Sequence, residues 1–407
     1  MSHAKFFRPS AAARWMACPG SAVLEADMPD TSSAAADEGT LAHWVASWAL
    51  EQELDALEYF ERYQGAHDCP DVPGDWRVTE DMCKHVQVYV DAVRRSLDKG
   101  GPGELHVETR VSFQEALGTT EQADGTADAI ILRDDDFEVH DLKYGANPNN
   151  RVDAMGNEQL QCYALGVLEQ FGHLADFKRA TLVIHQPRLD WQDRWEVTIE
   201  ELRDFNDRAA TAVAETALAA AMGRDEVLAK QHALNPSEKA CKWCKVKATC
   251  PALRAEVERA IASVPEELDA LNAAMKLTKL AEDWAKAVRA AVEAALLEGK
   301  PLADYKLVEG RRGARSWTDA EAVEKLMKEK FRLKTEQMYD MKLVSPTEAE
   351  KLLGDSKRRW TQLEKYIEQK PGKPSVAPMS DKRPPIQPGA TTDGMAVIED
   401  DALAALM

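Results

Sequence analysis

Asp141 and Lys143 stand two apart in the stretch FEVHDLKYG, residues 137–145. Side chains alternate along an extended chain, so the carboxylate and the ammonium leave from one face as a D-x-K arrangement. Phe137, Val139 and Leu142 are the residues expected to seat this strand in the core. The preceding stretch, GTADAIIL, holds Asp128, and the RDDD between the two is a strong turn sequence. A turn centred on Asp134 and Asp135 sets residue 133 opposite 136 and, counting outward, Asp128 opposite Asp141. Directly opposed residues have Cβ atoms about 4.5–5.5 Å apart, and like charges there repel. A divalent cation removes the repulsion, because aspartate oxygens suit Mg2+ or Mn2+. Lys143 would then hold a phosphate or orient an attacking water. The plain alternative is a surface hairpin with one Asp–Lys pair, worth little energy.

The elements around this pair read as follows. Residues 38–63 place Leu41, Trp44, Val45 and Trp48 at helical spacing, with Asp37 or Thr40 as the cap, which puts His43 on the first turn. A second helix spans about 79–97. The period then changes to two: ELHVETRVSF, TADAIILR, FEVHDLK, RATLVIHQP and RWEVTIE read as five strands, with a helix over about 153–170 after the third. Helices flanking a largely antiparallel or mixed sheet give an α/β or α+β domain. An Ala-rich helix over about 200–234 leads into SEKACKWCKVKATCPAL, a knot of cysteines and lysines. Residues 253–299 are strongly helical, YKLVEGRRGARSWTD reads as a small hairpin, and the Pro/Gly-rich end from residue 371 reads as disordered.

With these motifs in order, the sequence resembles the PD-(D/E)XK nucleases, specifically the RecB-like, AddB-like exonuclease branch that carries an iron-sulfur cluster. That pattern is a helix with a His, a G-x-x-D strand, a (D/E)-x-K strand and a helix with Q-x-x-x-Y. Here it is met by His43 in GTLAHW, by Gly125 to Asp128, by Asp141 and Lys143, and by Gln159 and Tyr163 in QLQCY. The resemblance implies a restriction-endonuclease-like core over residues 1–252, a helical extension over 253–370 and a tail over 371–407. It implies that His43, Asp128, Asp141 and the Leu142 carbonyl ligate Mg2+ or Mn2+. Lys143 would activate the hydrolytic water, and Gln159 and Tyr163 would touch the DNA backbone or brace the site. The bland readings are a half-buried helix His and an exposed i, i+4 pair. Two positions depart from the pattern: Tyr144 replaces the usual small residue after the Lys, and His140 precedes Asp141. Glu108, on the first strand, is a further acid that the sequence does not place.

CKWCKVKATC is C-x2-C-x5-C, three thiols in ten residues, and both a zinc site and a cubane cluster need a fourth. Cys18, ahead of a Pro-Gly turn expected to expose its sulfur, is the best-placed fourth. The resemblance implies that Cys18, Cys241, Cys244 and Cys250 bind a [4Fe-4S] cluster stapling the ends of the core. Spacing alone leaves zinc open. Cys69, Cys83 and Cys162 read as packing residues. Lys242, Lys245 and Lys247 with Trp243, and Arg311, Arg312 and Arg315, are basic patches that would balance the cluster's charge or touch a single strand.

Lys plus Arg number 51 against 70 Asp plus Glu, so the net charge of −19 gives no global attraction to phosphate. Local basic surface or metal ions must supply it if DNA is bound. Seven cysteines, an odd count, argue against a disulfide framework. No run nears the roughly 20 apolar residues of a membrane span, and the start lacks a signal peptide's apolar middle. Composition leads to the expectation of a cytoplasmic protein, and the resemblance implies a bacterial or phage-encoded deoxyribonuclease. It would act on single-stranded DNA or duplex ends in recombination, repair or replication, beside a helicase or single-strand-binding protein, since no G-x4-G-K-[ST] is present. The competing class is a scaffold that keeps the fold and cluster without activity.

Overall fold

Two aspartates at a reversal favour a tight turn, and here Arg133 N–H donates to the Asp136 carbonyl at 2.9 Å, closing the hairpin between strands β2 (Asp124–Leu132) and β3 (Asp136–Leu142). In this computed structural model, residues 6–28, 33–99, 101–262, 268–339, 343–353, 356–369, 372–378 and 383–386 are described. Strands β1 (Glu104–Ser112), β4 (Arg179–Gln186) and β5 (Trp191–Thr198) complete a five-stranded sheet in sequence order. All neighbours are antiparallel except β3 and β4, which run parallel. A parallel pair needs a long crossover, and the segment that supplies it contains helix α6 (Glu158–Phe171) once the earlier helices are numbered: α1 (Ala12–Ala17), α2 (Pro19–Glu25), α3 (Ala34–Gln52), α4 (Ala56–Tyr63) and α5 (Glu80–Lys99).

Both faces of the sheet are covered. Phe137, Val139, Ala127 and Ile184 pack on one side with residues of α6 and of α7 (Ile199–Met222). Leu142, Ala129 and Ile131 pack on the other with α3, α4 and α5. Phe137 and Val139 therefore share the Asp141 face, and Leu142 anchors the opposite one. Even the polar Glu138 and His140 are buried. Glu138 is satisfied there by Arg133 at 2.8 Å and by the Ser96 hydroxyl at 2.7 Å, as a buried charge requires.

Helix α3 starts earlier than its apolar spacing indicates. Ser33 is its N-cap, accepting from the Ala36 N–H at 3.2 Å, so Asp37 and Thr40 lie inside the helix and His43 sits near its middle. Glu53, at φ 56, ends it, which splits the expected long helix in two. After α7 come α8 (Arg224–Lys230), α9 (Glu238–Cys241), α10 (Pro251–Ala262) and α11 (Leu268–Leu297).

The chain divides into units at Ala285/Lys286, within α11, beyond the expected boundary at 252. In the second unit β6 (Tyr305–Gly310) pairs with β9 (Gly372–Pro378), and β7 (Ser316–Trp317) pairs with β8 (Ile367–Glu368). The stretch read as a hairpin thus pairs with distant strands. Residues 372–378, placed by composition in a tail, form a strand, while 387–407 lie outside the described residues. Val323, Met327, Phe331, Met338 and Leu363 form this unit's own core. Among the described residues no helix is long and apolar enough to cross a membrane.

Candidate functional site

The β2–β3 ladder pairs Ile130 with Val139 and Ala129 with His140, so the next step outward is Asp128 against Asp141, as the turn sequence requires. Backbone pairing stops one step short. Asp128 instead accepts the Leu142 N–H through its own Oδ2 at 2.6 Å, so a side chain takes over the ladder bond. Its Oδ1 meets His43 Nδ1 at 3.1 Å. Asp141, 2% exposed at its side chain, faces Lys143, whose Nζ lies 2.7 Å from Oδ2 and 3.1 Å from Oδ1. Gln159, in the first turn of α6, ties the group together. It accepts from Lys143 Nζ at 2.9 Å and donates to Asp141 Oδ1 and to the Tyr163 hydroxyl, each at 3.1 Å. Tyr163 is buried, so Gln159 and Tyr163 are not an exposed pair: they brace the strand. Gly125 makes room for this bracing, since a Cβ there would lie 2.6 Å from the Pro9 ring and 3.1 Å from the Tyr163 ring.

The structure adds an acid that the sequence did not place. The β1–β2 register pairs Val107 with Ala129 and Thr109 with Ala127, which sets Glu108 across from Asp128. Ligand atoms of His43, Glu108 and Asp128 all lie within 4.8 Å of one another, a spacing suited to one cation. Glu108 has φ 43, a left-handed conformation that a non-glycine residue in mid-strand holds only under strain. An acid at the centre of an otherwise alternating strand was the only sequence signal for it. Leu142 meets the cluster through its N–H, while its side chain packs on the opposite face. Tyr144 is buried in that opposite core, with Arg188 over its ring, and does not crowd Lys143.

Electrostatics follow from the crowding. Burial works against charge on His43, but the neighbouring Asp128 carboxylate outweighs it and raises His43 to about 9. Asp128 is correspondingly held low despite its burial, chiefly by His43. Asp141 is pushed up by burial and by Asp128, against the pull of Lys143. Glu108 is raised to about 7 by desolvation of its carboxylate and by Asp128, a shift that its exposed surface tempers. Three carboxylates and one imidazole compete for positive charge. Asp141 Oδ2 receives no hydrogen bond, since its ammonium contact is an ion pair outside hydrogen-bond geometry. The donor set, oxygen-rich with one imidazole, fits a hard divalent cation.

The four cysteines of the second constellation converge. Cys18, Cys241, Cys244 and Cys250 are all buried in one apolar cluster with Leu24, Leu234 and Leu253. Cys18 lies at the joint between α1 and α2, where Pro19 opens a helix and not an exposed turn, and the residue is buried. The Asn235 N–H points at that sulfur from 3.3 Å. Gly20 allows the approach: a Cβ there would come within 2.6 Å of the His232 carbonyl oxygen. Burial raises Cys18, raises Cys241 to about 11 and pushes Cys244 higher still, with neighbouring cysteines adding to each. The four cysteines share this apolar cluster, but among the described residues no three of their sulfurs come within 4.8 Å of one another, and a bound metal's positive charge would be needed to reverse that shift.

A family model described as "Protein of unknown function (DUF2800)" matches residues 3–384, both units and all the residues above. The chain belongs to the DUF2800 family. A solved structure entitled "Crystal structure of SSO0001" is 16% identical to this DUF2800 chain, over 52% of this chain and 96% of that one, with a TM-score of 0.23. A likeness of that size carries no argument about the fold.

Elsewhere in the DUF2800 chain, the basic patches are partly committed. Lys242 lies 5.4 Å from the Trp243 ring, and Lys247 donates to the Lys242 carbonyl at 2.8 Å, while Trp243 itself is 67% exposed. Arg315 is held by Glu350 and by the Trp360 ring. Cys69, Cys83 and Cys162 are buried among apolar residues, as expected of packing cysteines.

Proposed function

We propose that this DUF2800 protein is a divalent-cation-dependent deoxyribonuclease with a RecB-like PD-(D/E)XK core, acting as an exonuclease on single-stranded DNA or duplex ends and carrying a structural [4Fe-4S] cluster. The observation that supports it most is the register that sets Asp128 across from Asp141, with Lys143 and Gln159 bonded to Asp141 and His43 bonded to Asp128. His43, Glu108, Asp128, Asp141 and the Leu142 carbonyl would hold Mg2+ or Mn2+. When bound, such an ion polarises a phosphate and lowers the pKa of a bound water.

The chain's own residues do the rest. Lys143 is 28% exposed at its side chain, so its ammonium reaches solvent while Asp141 and Gln159 fix its direction. From there it orients a water against a phosphate. Gln159 keeps Asp141 turned toward the site, and Tyr163 keeps Gln159 in place. Cys18, Cys241, Cys244 and Cys250 would hold the cluster away from this chemistry, as a staple.

Labelled single- and double-stranded DNA incubated with the purified protein and Mg2+ or Mn2+ tests the reading. Cleavage is expected, abolished by chelator and reduced at least about a thousandfold by Lys143→Ala. Cleavage that survives that substitution would refute the assignment.

A further inference from the structure

Side chains alternate along β3, so Glu138 leaves from the face opposite Asp141. There it borders an open cavity of about 450 Å3, shared with Arg95, Ser96 and Lys99 of α5 and with Arg194 of β5. A space of that size suits a small ligand. Its charge is the reverse of the molecule's: the chain carries −19 overall, yet three cations and one carboxylate line the cavity. The carboxylate is already engaged. Glu138 meets the buried Arg133 at 2.8 Å and accepts from the Ser96 hydroxyl at 2.7 Å, while Arg194 approaches it only to 3.5 Å and is half exposed. Among the described residues the side chains of Arg95 and Lys99 have no hydrogen bond or ion pair. The end of a helix favours cations without any ligand, which accounts for Lys99. It does not account for Arg194, which reaches the same cavity from a strand.

We propose that this cavity binds a phosphate monoester, whether on a free mononucleotide or at the end of a strand, through Arg95, Lys99 and Arg194. The site is separate from the Asp141 cluster and does not rest on the nuclease reading. Three cations against one carboxylate leave an excess of two positive charges. A phosphate monoester carries about −1.5 to −2 at pH 7 and balances it, whereas a carboxylate or a backbone diester brings a single charge. Two guanidinium forks and an ammonium suit its several terminal oxygens.

Calorimetry with divalent cations chelated tests this without any need for cleavage. The probes are inorganic phosphate, thymidine 5′-monophosphate, and one short oligonucleotide with and without a 5′-phosphate. The three phosphate-bearing probes are expected to compete for one site, and the unphosphorylated strand to bind at least about tenfold more weakly than its phosphorylated form. Arg95→Ala and Arg194→Ala should each weaken thymidine monophosphate about tenfold or more, while Lys84→Ala, which removes an exposed cation elsewhere on α5, should not. Arg194→Ala also gives up its bonds to Glu138 and Thr181, so Arg95→Ala, whose side chain has no partner to lose, keeps the test independent of folding. Tighter binding of the mononucleotide than of the phosphorylated strand assigns the site to free nucleotide, and the reverse order assigns it to a strand end; either supports the proposal. It is overturned if no phosphate-bearing probe gives heat at millimolar concentration, if the strand binds equally well without its phosphate, or if Arg95→Ala weakens binding no more than Lys84→Ala does.

Discussion

Without a cation, His43 carries a proton that Asp128 holds on it, and this makes stability depend on pH in a defined direction. The folded value is about 9 against an ordinary 6.5. A raised value stabilises fully below the unfolded value, and that stabilisation is lost as pH climbs through the folded one. Metal-free protein should therefore lose thermal stability between about pH 7 and pH 9. His185, held well below its usual range by burial, is already neutral there and does not contribute. Circular dichroism melts across that window check this, and Asp128→Asn should flatten the slope. Saturating Mn2+ should also flatten it, because the ion takes the neutral imidazole that the proton vacates. Glu108 belongs to the same competition. Glu108→Gln should leave metal-free stability at pH 8 equal or higher, since a carboxylate across from Asp128 is removed, while weakening Mn2+ binding about tenfold or more in calorimetry. A fall in metal-free stability on that substitution would show that Glu108 is held by something other than the cation.

Helix α6 is the element that turns a strand into a site, because Gln159 and Tyr163 both ride on it. Its distance from the sheet is set by Gly166, where a Cβ would lie 2.8 Å from Val111 Cβ and 3.2 Å from the Ser112 carbonyl oxygen. Both are backbone-anchored atoms that cannot swing aside. Gly166→Ala should therefore cost about 1–3 kcal/mol in thermal unfolding, despite the better helix propensity of Ala, and lower cleavage by displacing Gln159. A stabilised variant would mean that the helix shifts freely. The same scale shows what could be read from sequence. The β2–β3 register was legible because a tight Asp–Asp turn fixes it locally, and with it the facing of Asp128 and Asp141. The placing of Glu108 was not, because β1 and β2 are joined by the long stretch 113–123, which imposes no count. Leu142 is buried as expected, but that Phe137 and Val139 share the Asp141 face was not legible, because alternation assumes one buried side, whereas β3 is buried on both. The pairing of β6 with β9 spans some sixty residues and leaves no local pattern at all.

In the first unit, Cys18, Cys241, Cys244 and Cys250 lie in one apolar cluster although the chain separates them widely. A link between Cys18 and Cys241 closes a loop of more than 200 residues that contains every strand of the large sheet. Constraining a loop of that length in the unfolded chain is worth about 5 kcal/mol by loop-closure entropy, comparable to the net stability of many domains. The metal-free thiols give no such link, and burial makes their ionisation costly. Occupancy of the proposed cluster should then decide whether α1 and α2 stay docked on the segment 231–253. Anaerobically purified protein is expected to be brown, with iron and acid-labile sulfide in equal amounts. Cys244→Ser should lose both together and lower the unfolding temperature by ten degrees or more. Stoichiometric zinc without sulfide would replace the cluster by a zinc staple and leave the entropy argument intact. Unchanged stability on removing the metal would instead mean that the apolar contacts of Leu24, Leu234 and Leu253 hold the segments together unaided.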